Sequence, residues 1–204
     1  MTRTVHIIGN GDCAVYYKPS PGIKLTCNMP AFDIADVYGT VMVDFKMMKA
    51  LYEGHLQLDA YDWILGNRPK VWMEMKPDFY MRYSKNVKEF YTHVPKYCPG
   101  ATEFNCGHMA THYAASKLGA TEIHMYGFDS LFDMNLRSIT DTYLVSDRSD
   151  LNSFRLNSNW RPIWERLFEE FPDVKFVLYH KHDMIKIPVP SNVHIDTSRA
   201  RRRK

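Results

Sequence analysis

The sequence predicts an α/β fold: a single Rossmann-like three-layer sandwich with a mostly parallel sheet and a lid-like loop. Three observations carry this. Short apolar runs rich in β-branched residues recur between turn signals. Several of them lack the alternation of a half-exposed strand, as strands buried on both faces do. Helical stretches lie between them, and strands that alternate with helices build a parallel sheet.

Val5 to Ile8 opens the series, followed by Ile23 to Cys27, Thr40 to Val43 and Trp63 to Leu65. His108 to Leu118 reads as a helix, with Ala110, Ala114 and Leu118 on one stripe, Asn105 as its N-cap and Gly119 as its end. Glu122 to Tyr126 is the next strand. Residues 130–160, rich in Asp, Ser, Asn and Arg, break the rhythm. Such a stretch inside a compact domain reads as a functional loop or lid, or as disorder. Pro162 to Phe171 buries Ile163, Leu167, Phe168 and Phe171 on one helix face, exposes Glu165, Arg166, Glu169 and Glu170, and is stopped by Pro172. Val174 to Tyr179 is the closing strand.

The 204 residues suffice for one domain, 1–198, with a basic disordered tail at 199–204. Apolar residues at 45% and charged residues at 24% exclude a disordered, collagen-like or coiled-coil chain. No run approaches the ~20 apolar residues of a membrane span, and no signal pattern opens the chain, so a cytoplasmic protein is expected. The net charge of +3 divides unevenly. Five basic residues lie in the tail, which leaves 21 basic against 23 acidic groups, a net of −2, on the body. The tail reads either as a solubilising end or as an electrostatic hold on nucleic acid. Cys13, Cys27, Cys98 and Cys106 form no CxxC pair and read as reduced structural thiols. His108 and His112 have a metal-compatible spacing without the acid of a zinc-protease motif, so they are assigned to helix packing, and no metal ligand is expected.

Gly9, Asn10, Gly11 and Asp12 follow the first strand directly. Glycines there let backbone N–H groups approach a phosphate or sugar, so a side chain at Gly11 is expected to block a ligand with little loss of stability. The third glycine of a dinucleotide fingerprint is replaced by Ala14, so the pair also reads as a tight turn. Asn28 and Asp44 end the next two strands, and with Asn10 they would form one polar rim suited to a nucleobase edge or ribose, with Asn67 as a fourth such residue. Cys106 and Gly107 stand at a helix entry where an anion is favoured. Gly127, Phe128 and Asp129 close another strand.

The opening "IIGNG", the "TCN" strand end, the Asp44 strand end and "CGHMATHYAASKLGATEIHMYGFD" together resemble the nucleotide-binding fold of bacterial lipooligosaccharide sialyltransferases. They are also similar to proteins of the archaeal 6-hydroxymethylpterin diphosphokinase type. The resemblance lies in order and spacing over roughly residues 5–185. It implies a CMP-sugar donor, with Gly9, Asn10 and Gly11 on its phosphate side, Asn28 on the nucleotide, and Gly127, Phe128 and Asp129 bordering it. Asp44 stands where that family has Asn, and Cys106 where Ser is common. The family's general-base His is absent between His124 and His180. The polar loop offers Asp133, Asp141, Asp147, Asp150, Arg137, Arg148, Arg155 and Tyr143 instead, and His180 with His182 is the alternative home for a base.

Three functions follow as expectations. The first is a glycosyltransferase that moves a sugar from a nucleotide sugar to an acceptor hydroxyl, with Asp129, Tyr143, Arg137 and His180 as catalytic groups. The second is a diphosphokinase that needs Mg²⁺ held by Asp12, Asp44 and Asp129. The third is a nucleic-acid-modifying or nucleotide-binding accessory protein. It would use the basic tail and Trp72, Tyr80, Tyr83 and Tyr91 interleaved with Lys70, Lys76, Arg82, Lys85 and Lys88. A homo-oligomer is left open.

Overall fold

The computed structural model describes residues 1–97, 104–133 and 160–200. The apolar runs form strands β1 (Thr4–Ile8), β2 (Ile23–Cys27), β3 (Val37–Met42), β4 (Trp63–Leu65), β6 (Glu122–Tyr126) and β7 (Lys175–Tyr179). Two more, β5 (Val87–Phe90) and β8 (Val193–Asp196), were not expected. Among the described residues the sheet has eight strands in the order β5-β4-β3-β2-β1-β6-β7-β8. Every neighbouring pair is parallel, so the sheet is wholly rather than mostly parallel. β5 and β8 are its two edges. Edge strands are less enclosed, so their sequences need no apolar run, and Lys88, Glu89, His194 and Asp196 hide them from a search for one.

The inner strands are largely apolar, and their successive residues divide between the two faces of the sheet as the period of two requires. Val5, Ile7, Leu25, Val41, Ile64, Ile123, Met125, Phe176 and Leu178 face one core, where α4 (Cys106–His112) and α5 (Arg161–Glu170) pack. Met42, Trp63 and Leu65 face the opposite core, under α1 (Phe45–Tyr52), α2 (Asn67–Met75) and α3 (Pro77–Tyr83). Helices on both faces make the three layers. On α5, Ile163, Leu167 and Phe168 are fully buried, worth roughly 1.5–3 kcal/mol each. After His112 the helix continues as a π-helical turn, Tyr113–Lys117, where an unbroken α-helix to Leu118 was expected.

The remaining part of the second face, Ile8, Tyr126, Val177 and Tyr179, lies under a 3₁₀ turn (Asp12–Tyr16) and Tyr17. His6 stacks on His124 at 5.0 Å, Tyr126 stacks on Tyr179 at 4.4 Å, and the Arg199 guanidinium lies 4.2 Å from the Tyr179 ring centroid. Arg199 also donates to the Tyr16 carbonyl at 2.6 Å. It therefore belongs to the folded body rather than to the tail, and residues 201–204 lie outside the described residues.

The middle aromatics are mostly core. Tyr83 is buried, Trp72 packs on the α1–α3 core, and Tyr91 packs under α4, which leaves Tyr80 as the exposed ring of the four. That reduces the interleaved stacking surface expected for a nucleic acid mainly to Tyr80. Among the described residues no helix is long and apolar enough to cross a membrane.

From β1 the chain steps outward through β2, β3, β4 and β5, then returns to place β6 on the other side of β1. The strand order reverses between β1 and β6. In open parallel sheets that reversal leaves a crevice at the carboxyl ends of the two strands.

Candidate functional site

The two loops at the reversal hold each other. Gly9 N–H donates to the Tyr126 carbonyl at 2.7 Å, and Gly11 N–H donates to the Gly127 carbonyl at 3.0 Å. A Cβ on Gly11 would stand 2.6 Å from the Gly127 oxygen and 2.8 Å from Asp129 Cγ. Gly127 has φ +77°, and a Cβ there would meet the Ala14 methyl at 2.9 Å. These glycines are demanded by loop-to-loop contact. The expectation that a Gly11 side chain would cost little stability is therefore corrected.

Asn10, Asn28 and Asp44 end three neighbouring strands, β1, β2 and β3. Asn10 Nδ2 donates to the Cys27 carbonyl at 2.5 Å, while its Oδ1 is buried and has no hydrogen-bond partner among the described residues. Asn28 takes φ 56°, a left-handed conformation that Asn tolerates, and its Oδ1 accepts from the Cys106 thiol at 3.0 Å. Burial, then the Asp44 charge, pushes the Cys106 thiol well above its usual range. Asp44 precedes α1 and faces Arg68 at 3.9 Å. Gly107 is packed against Phe128, whose ring would lie 2.7 Å from a Cβ there. Asn67 begins α2 and is exposed. The helix entry is fixed by a capping box: Asn105 Oδ1 accepts from His108 N–H at 2.9 Å, and His108 Nδ1 faces Asn105 N–H at 3.1 Å.

The other wall is built from the ends of β6 and β7. Asp129 is buried and accepts the Cys13 N–H at 3.1 Å. His180 is wholly buried, with Nε2 4.0 Å from Asp129 Oδ1 and 3.5 Å from Asp133 Oδ2. That nitrogen has no hydrogen-bond partner among the described residues. Phe132 stacks on the His180 ring at 4.0 Å. Asp133 pairs with Lys181 at 2.8 Å and His182 at 2.9 Å. Arg161 of α5 holds this segment by donating to the Ser130 carbonyl at 3.0 Å.

Burial lowers the His180 pKa, so the ring is neutral near pH 7. Burial, then the Asp129 carboxylate, raises the Cys13 thiol to about 12, which disfavours its thiolate near neutrality. Burial alone would raise Asp133, but Lys181 and His182 outweigh it and hold the carboxyl low.

Among the described residues, potential metal-ligating atoms converge in two groups that share His180: Cys13, Asp129 and His180, and Asp133, His180 and His182. Asp12 and Asp44 belong to neither, and Asp12 is exposed, so the Mg²⁺ set Asp12, Asp44 and Asp129 does not come together. His108 and His112 are engaged elsewhere. His108 Nε2 faces the Trp160 carbonyl at 3.0 Å, and His112 Nδ1 faces the Tyr91 hydroxyl at 2.7 Å. Arg137 and Tyr143, with the rest of the expected lid from 134 to 159, lie outside the described residues.

Cys13, Cys27 and Cys106 are free and buried, as the reading of reduced structural thiols expects. Asp129 and His180, which lie beside Cys13, follow strands distant in sequence, and the one local signal for the group was the place of Cys13 just past the glycine loop. Comparisons with protein-family models, curated proteins and solved structures found no match for this chain.

Proposed function

We propose that the protein is a transferase that binds a nucleotide-activated sugar across the carboxyl edge of the sheet and passes the sugar to an acceptor hydroxyl. The observation that carries this reading is the buried Asn10 Oδ1, without a hydrogen-bond partner among the described residues, at the β1–β6 reversal next to Asn28 at the end of β2. A buried acceptor without a donor is costly, and a ribose hydroxyl or a base amino group supplies one. Cytosine, whose exocyclic amine donates, suits this acceptor, in keeping with the CMP-sugar that the resemblance implies. Asp44 adds a second acceptor, and Asp129 stands on the far wall.

The diphosphokinase reading is less favoured, because its three carboxylates do not gather on one ion. The nucleic-acid reading loses most of its stacking surface to the core.

The test is calorimetric titration with CMP, UDP, GDP and ATP, followed by nucleotide release from the corresponding sugar donors. CMP binding that Asn10→Ala weakens about tenfold, the worth of one hydrogen bond to a buried group, is the expected result. No binding of any nucleotide, together with no turnover of any donor, would refute the assignment.

A further inference from the structure

We propose that Cys13 Sγ, an Asp129 carboxylate oxygen and His180 Nε2 form a site for a divalent transition ion of the zinc class. The three donors come from the turn after β1 and from the ends of β6 and β7, and their ligand atoms lie within 4.8 Å of one another. All three residues are buried.

Two observations point to an ion rather than to a chance cluster. His180 is wholly enclosed, yet its Nε2 has no hydrogen-bond partner among the described residues and faces two carboxylates, Asp133 at 3.5 Å and Asp129 at 4.0 Å. Asp129 is a buried acid whose one basic neighbour within 4.0 Å among the described residues is that same His180. A buried carboxylate without a full counter-charge is expensive, and a bound cation supplies the charge and accepts the unused lone pair of the imidazole at once.

The other face of His180 is prepared for this. Its Nδ1 lies 3.1 Å from the His182 carbonyl, closer than the 3.3 Å to the His182 N–H. A proton on Nδ1 donated to that carbonyl leaves Nε2 as the free ligand atom, the arrangement that histidine ligands commonly have.

The group Asp133, His180 and His182 is the weaker choice. Asp133 is already neutralised by Lys181 at 2.8 Å, and His182 Nδ1 accepts the Met184 N–H at 3.2 Å, which puts the His182 proton on Nε2, against Asp133.

The donor set selects the ion. Sulfur, imidazole nitrogen and a single carboxylate suit Zn²⁺ or Co²⁺, whereas Mg²⁺ and Ca²⁺ take all-oxygen shells. Around tetrahedral zinc, ligand atoms stand roughly 3.3–3.8 Å apart, so the three side chains close on the ion by movements on the order of 1 Å. Ligation releases the Cys13 thiol proton to solvent. Three protein ligands leave a fourth position for water or for an oxygen of a bound molecule. Because Asp129 also abuts the Gly11 loop, that position adjoins the β1–β6 crevice. The site stands independently of the nucleotide reading.

The test is made on the full chain, freed of metal by a chelator, with no nucleotide present. Zn²⁺ is titrated by calorimetry, and Co²⁺ is used as a spectroscopic probe. One equivalent should bind, and the cobalt form should show a thiolate-to-metal charge-transfer band that Cys13→Ser abolishes. His180→Gln and Asp129→Asn should each weaken Zn²⁺ by more than ~100-fold, beyond the loss typical of outer-shell partners. His194→Gln, on the exposed edge strand β8, should change nothing. If a ligand variant does not fold, the cobalt band of the wild-type protein and its loss in Cys13→Ser decide. Absence of Zn²⁺ binding by the wild type, a cobalt spectrum without the thiolate band, or affinity unchanged by Cys13→Ser and His180→Gln overturns the proposal and leaves His180 as a candidate base. None of these outcomes depends on whether a nucleotide binds.

Discussion

Replacing Gly11 by alanine adds one carbon where the structure has no room for it. Gly11 has φ −73° and ψ 166°, extended backbone that alanine adopts freely, so the whole penalty is contact. The new Cβ would stand 2.6 Å from the Gly127 oxygen, a backbone atom that cannot swing aside, and 2.8 Å from Asp129 Cγ. Overpacking of this kind costs about 1–3 kcal/mol. Separating the loops also weakens the Gly11 to Gly127 hydrogen bond, worth about 1 kcal/mol. The stiffer unfolded chain returns about 0.4–1 kcal/mol. The net is a loss of about 2 kcal/mol, or roughly 4–8 °C in Tm for a chain of this size. Thermal unfolding followed by circular dichroism measures it. Gly54→Ala is the matched control: Gly54 has φ +77° but nothing within 4 Å of a Cβ, so its loss, from backbone strain alone and offset by the same unfolded-state gain, should stay near or below about 1 kcal/mol. A Gly11→Ala protein as stable as its parent, yet unable to bind nucleotide, would show that the glycine reserves space for a ligand rather than for Gly127.

Two further perturbations follow from buried groups. Burial holds the His108 pKa at about 3 against an ordinary 6.5, so the folded state keeps the ring neutral while the unfolded chain takes up a proton below 6.5. The stabilisation is therefore present above pH 6.5 and is lost as pH falls toward 3, at up to about 1.4 kcal/mol per pH unit. Urea unfolding at pH 7 and pH 5 should show a flatter pH dependence for His108→Gln, and equal losses in parent and variant would contradict it. Arg199→Ala removes the cation over Tyr179 and the bond to the Tyr16 carbonyl, and should cost about 1–2 kcal/mol in urea. An unchanged midpoint would return Arg199 to the tail.

How legible each feature was depends on where its partners lie. The central strands were visible because burial on both faces forces apolar runs such as Trp63 to Leu65 and Phe176 to Tyr179. The edges were not, since a strand enclosed on fewer sides tolerates Lys88-Glu89 or His194. The Asn105 cap was readable because its partner His108 is three residues away. By contrast, Cys13, Asp129 and His180 meet only because β6 returns to the side of β1 away from β2, and no local spacing encodes strand order. The same limit hid the reason for the glycines: the sequence displays Gly11 and Gly127 but not that each is the other's obstacle.

That mutual contact ties the two walls of the crevice together. Asn10 lies on the strand end before Gly11, Cys13 follows two residues after it, and Asp129 follows Gly127 by two. The Gly11 N–H to Gly127 bond therefore ties the loop that carries the Asn10 acceptor and Cys13 to the loop that carries Asp129. Substitutions at Asn10 or His180 should each disturb one wall and leave the other intact. A side chain at Gly11 pushes directly on Asp129 and on the loop that carries Asn10, so it should weaken nucleotide and metal binding together, in proportion to the stability it removes. Loss of one binding function without the other in a folded Gly11→Ala protein would show that the two walls are not mechanically joined.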